Sequence, residues 1–172
     1  MQNVTQNQPG GTSELASGAS ANPDQEEITR RGVVTWAAHP PAGTARIEAE
    51  SHAFGALPVS LSAGDPVPHE ATPGELLAVA HAMFLAAALA EMLADAGSPA
   101  SEIDVEASCT FTGPLLPPDR TLAALDLRVT GRVDGLDSAR FRDAVERARD
   151  RALRASGTRT DLAGELKVEF PR

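Results

Sequence analysis

Apolar side chains recur along this chain with two different periods, and each change of period marks an element. Val33, Val34 and Thr35 are β-branched and support a first strand from Ile28 through Trp36. Pro40-Pro41-Ala42-Gly43 then turns the chain into a second strand over Thr44 to Glu50, which makes a hairpin. A third short strand fits Leu57 to Ser62, before a loop at Gly64-Asp65-Pro66-Val67-Pro68. From Leu76 to Ala90 alternation gives way to a run whose one polar side chain is His81, so the predicted helix is apolar on almost every face. Such a helix must be covered nearly all round, as the centre of a core or of an interface. Its start is fixed by Thr72 as N-cap, Pro73 in the first turn and Glu75 completing a capping box. Gly97 suits the residue just past its end.

Period two returns at Ile103, Val105, Ala107, Cys109 and Phe111, interleaved with Asp104, Glu106, Ser108, Thr110 and Thr112, which predicts a strand with one buried face. Leu125, Leu127 and Val129 alternate in the same way after the turn from Gly113 to Asp119, giving a second hairpin. Asp137 caps a second helix in which Phe141, Val145, Ala148, Ala152 and Ala155 recur at helical spacing, ending at Gly157. Leu162, Leu166, Val168 and Phe170 predict a last strand. The order is βββ-α-ββ-α-β, an α+β chain.

Composition narrows this picture. The 172 residues, 42 % hydrophobic, suit one domain over residues 27–172. Residues 1–26 hold too little bulky apolar surface to offset chain entropy and read as a disordered tail. A net charge of −9 argues against nucleic acid and anionic membrane surfaces as partners. One cysteine excludes an internal disulfide, and the polar opening residues lack a secretory pattern, so the expected location is the cytoplasm. The long helix is mostly alanine, and Glu91 interrupts it before about 20 apolar residues accumulate, which argues against a membrane span.

Three stretches carry a likeness: Arg31-Gly32-Val33-Val34-Thr35-Trp36, Phe54-Gly55-Ala56-Leu57-Pro58-Val59, and Thr72-Pro73-Gly74-Glu75-Leu76-Leu77-Ala78-Val79-Ala80-His81-Ala82. In this order and with these element lengths the chain resembles the OsmC/Ohr family, the osmotically induced and organic-hydroperoxide-resistance proteins. The resemblance covers about residues 30 to 170. It implies an intertwined homodimer whose long helices pack centrally beneath two curved sheets. It also implies where a redox centre would stand. The family's peroxidatic cysteine corresponds to Phe84 and its resolving cysteine to Ala152, while the glutamate near the thiol corresponds to Gly74. The loop expected to supply an arginine reads Ser62-Ala63-Gly64. A thiol peroxidase needs a thiolate to attack the peroxide and a cation to hold that thiolate, and both are missing at these positions.

The leading expectation is therefore a non-peroxidatic relative that needs no cofactor and uses an interface cavity, lined by Phe84, Met83, His81, Ala152 and Gly74, for a small apolar or amphipathic metabolite. An alternative is acid–base or cyclisation chemistry in that cavity with His81 as base. The third is a thiol peroxidase acting through Cys109, but Cys109 lies in phase with the buried face of its strand, where burial raises a thiol's pKa and suppresses its reactivity. His81 otherwise reads as a hydrogen-bonded structural histidine; Glu91, ten residues on, is about 15 Å away along the helix and cannot pair with it. His39, His52 and His69 are scattered without metal-ligand spacing. Arg140, Arg142, Arg147, Arg149, Arg151 and Arg154 interleave with Asp143, Glu146 and Asp150, the pattern of a solvated, ion-paired helix face.

Overall fold

The computed structural model describes residues 29–37, 44–60, 69–113 and 121–170. The proposed tail, 1–26, and its boundary lie outside them. Every element belongs to the unit Gly32–Arg172. The strands are β1 (Gly32–Ala37), β2 (Thr44–Ala49), β3 (Leu57–Ser60), β4 (Ala100–Thr112), β5 (Thr121–Val133) and β6 (Leu166–Glu169); the helices are α1 (Pro73–Asp95) and α2 (Ser138–Ala155). The order matches the periodicity, element for element.

Two three-stranded sheets result, β1-β2-β3 and β4-β5-β6. The first is antiparallel throughout, with Val34 opposite Ile47 and Ala45 opposite Val59, so these apolar residues share one face. Ser60 N–H donates to the Ala71 carbonyl at 2.8 Å and Ala71 N–H to that of Pro58 at 3.0 Å, which ties β3 to the residue before the cap of α1. In the second sheet β4 and β5 form the long hairpin, and β6 joins β5 in parallel. That last strand begins later than the alternation from Leu162 suggests. Gly164 passes so close to the Leu125 backbone that a Cβ would overlap it, and the chain reaches ladder pairing at Leu166.

The core lies between the second sheet and both helices. Leu85, Ala88, Leu89 and Leu93 from α1 meet Leu125, Leu127, Val129 and Val133 from β5 and Phe141, Ala144, Val145, Ala148, Ala152 and Leu153 from α2. The other face of this sheet carries cross-strand ion pairs, Arg132–Glu102 at 3.2 Å and Arg128–Glu106 at 3.7 Å. It faces water as an antiparallel hairpin with one buried side should.

Candidate functional site

Helix α1 positions the candidate residues. Its first turn is held by the predicted capping box: Glu75 N–H donates to Thr72 Oγ1 at 3.2 Å and Thr72 N–H to Glu75 Oε2 at 2.6 Å. The helix closes with Gly97 in the left-handed region, its N–H donating to the Ala94 carbonyl, while Ser98 N–H reaches that of Leu93. Between these ends a single helix runs for 23 residues, and by length and composition it is able to cross a membrane in spite of Glu91.

Its two sides differ. His81, Leu85, Ala88, Leu89 and Leu93 are buried. Leu77, Val79, Met83 and Phe84 are exposed, Met83 at 68 % and Phe84 at 43 %. At about 100° per residue, Val79 and Met83 stand opposite His81, and Phe84 and Leu77 occupy the flank between. Gly74 faces β4: a Cβ there would come within 3.1 Å of the Phe111 ring, so this aromatic takes the space a side chain would need. Ala152 sits in the core on α2. The five candidates thus divide, with Phe84 and Met83 on the open side of α1, His81 and Gly74 on the packed side, and Ala152 within the core.

The chemistry available is limited. His81 is 4 % exposed, and its Nε2 has no hydrogen-bond partner, contrary to the expectation of a hydrogen-bonded histidine. Burial lowers its pKa below the ordinary 6.5, favouring the neutral ring. Burial pushes the Cys109 thiol up, and Cys109 packs against the core from β4 as its alternation predicts. Glu91 pairs with Arg151 of α2 at 2.7 Å. His52 and His69 both hold positive φ, 53° and 68°; His39 and Ser62-Ala63-Gly64 lie outside the described residues. Among the described residues no three His, Cys, Asp or Glu side chains group as metal ligands.

The arginines of α2 are partly accounted for by Arg147–Asp143 at 2.9 Å and Arg140–Asp137 at 3.5 Å. Arg142 and Arg149, with Glu146, Asp150, Leu166 and Val168, line an open hollow of about 260 Å³ between α2 and β6. Two bases and two acids there give no net preference for an anion. Sequence reasoning missed Phe111 over Gly74 and the pairing of Arg151 with Glu91. The i, i+4 spacing of Val79 and Met83 was the available signal for a shared open face.

No protein-family model and no curated protein matches the sequence. Solved structures do match in fold. An OsmC-like protein of unknown function from Vibrio cholerae superposes with a TM-score of 0.65 at 11 % identity, covering 83 % of this chain and 100 % of the other. An organic hydroperoxide resistance protein from Elizabethkingia anophelis gives 0.64 at 16 % identity, covering 86 % and 99 %. An OsmC-like protein from Mycoplasma pneumoniae gives 0.64 at 9 % identity, covering 86 % and 100 %. Two three-stranded sheets, the capped apolar helix and the second helix in the same order place this chain on the OsmC-like fold.

Proposed function

We propose that this chain is a non-peroxidatic member of the OsmC/Ohr group, a cytoplasmic homodimer that binds a small apolar or amphipathic metabolite in a cavity at its interface. The observation that carries this reading is Phe84. Where the resemblance calls for a peroxidatic thiol, the chain has a phenyl ring on the open side of α1, and its single thiol, on β4, is made less acidic by burial. Losing the nucleophile while keeping an apolar surface favours binding over redox chemistry.

The dimer is supported by what one chain leaves uncovered. Val79, Met83 and Phe84 on α1 and Val34 of β1, at 64 %, are large apolar side chains that one chain leaves exposed. Apolar surface on this scale is the mark of an interface. A second copy would cover α1 with its own helix and sheet, and a cavity beside Phe84 would be enclosed by both copies.

Two measurements test the proposal. The protein, given cumene hydroperoxide and a dithiol reductant, is expected to consume no peroxide; turnover that disappears in Cys109→Ser would overturn the reading. Native mass spectrometry of protein purified from its source cell should show a small molecule retained. That compound, at 100 times its dissociation constant, should stabilise the fold by about 2.7 kcal/mol. Absence of any retained or stabilising compound would count against binding.

A further inference from the structure

Helix α2 lines the hollow of about 260 Å³ with Arg142, Glu146, Arg149 and Asp150, and β6 supplies Leu166 and Val168. The charges there are not arranged to satisfy one another. Asp143 and Arg147, a turn apart with the acid first, pair at 2.9 Å. Arg142 and Glu146 have the same separation with the base first, the weaker order on a helix, and make no ion pair among the described residues. Glu146 and Asp150, again a turn apart, are two carboxylates at an unfavourable spacing. Arg149 has its side chain 34 % exposed, and its Nε has no hydrogen-bond partner, with Asp150 Oδ1 3.6 Å away. Leu166 and Val168 are half-buried and pack against the core.

Two guanidinium groups, two carboxylates and two aliphatic side chains around one hollow match a ligand that carries the complement of each. A lone anion or a lone cation would be attracted by one pair of charges and repelled by the other. We infer that the hollow binds a zwitterion with an aliphatic side chain, the chemistry of an α-amino acid: the ligand carboxylate accepts from Arg142 and Arg149, its ammonium donates to Glu146 and Asp150, and its side chain lies on Leu166 and Val168. A guanidinium fork suits a carboxylate, and the three donors of an ammonium suffice for two carboxylates on adjacent turns. The hollow is just smaller than the roughly 300 to 1,000 Å³ of drug-sized sites, as a ligand of this size requires. It is separate from the open face of α1 that carries the binding reading above, and neither depends on the other.

L-leucine and two truncated forms of it are the probes: isocaproate, which lacks the ammonium, and isoamylamine, which lacks the carboxylate. Each is titrated into the full chain while the backbone amide resonances are followed. Leucine at millimolar concentration is expected to move the amides of Glu146, Arg149, Leu166 and Val168, and each truncated probe to bind about 10-fold more weakly or less. Arg142→Gln and Glu146→Gln replace exposed residues with no ion pair to lose, so each should leave the unfolding midpoint in place while lowering leucine affinity about 10-fold. Leucine that moves none of these amides, a truncated probe that binds as tightly as leucine, or an unchanged affinity in both variants would overturn the site. Each of these results leaves the retention of a metabolite beside Phe84 to its own measurement.

Discussion

Helix α2 turns one face to the core and the other to water, whereas α1 is apolar on both. In α2 the apolar residues Phe141, Ala144, Val145, Ala148, Ala152 and Leu153 are buried, Ala155 at the helix end is exposed instead of completing that face as its spacing predicts, and exposed arginines meet Asp143 and Asp137. In α1 the residues packed inside differ little in character from Val79 and Met83 outside. An amphipathic helix is completed by its own chain. One without a polar face must be covered from elsewhere, and the proposed function assigns that cover to a second copy with a ligand beside Phe84.

The largest expected effect lies on the closed side. Phe141 is fully buried, its ring 5.0 Å from that of Phe170, so Phe141→Ala should lower stability by about 3 to 5 kcal/mol in urea unfolding. A loss under about 1 kcal/mol would remove α2 as the completed partner in the comparison. On the open side Phe84→Ala should lose roughly 1 kcal/mol, because a ring that is 43 % exposed gives up little burial. A loss as large as that of Phe141→Ala would mean that the ring is packed solid at the interface, with no room for a ligand.

The pH dependence probes the packed side of α1. His81 has its pKa lowered on folding, so between its lowered folded value and the ordinary 6.5 the unfolded chain binds more protons. Its contribution is full above 6.5 and is lost as pH falls through the folded value. Chemical unfolding across that range should show His81→Leu flattening the decline; an unchanged slope would mean the imidazole is solvated. The smallest effect belongs to the bridge between the helices. Arg151 and Glu91 are half exposed, so Arg151→Ala should cost at most about 1 kcal/mol and less in high salt.

The contrast between the helices also governs what was legible. Every element in the described residues could be read from period and capping, because alternation, a capping box at Thr72 and glycines past both helix ends are local signals. The side of α1 that packs was not legible, since a helix with no polar face gives no direction. Nor was Phe111 over Gly74 or Glu91 with Arg151, contacts between residues distant in sequence that depend on how α1 lies on β4 and α2. The orphaned Nε2 of His81 is likewise a property of its packed surroundings. The candidate site was legible as a set of departures, Phe84, Ala152 and Gly74, without showing that they stand in different places.

The central claim, that a second copy covers the open face of α1, is tested most directly by the solution mass from light scattering on the full chain at micromolar concentration. The account predicts about twice 17.9 kDa, falling toward one chain when Met83→Glu places a charge on that face. A wild-type protein that stays at 17.9 kDa across that range would contradict it.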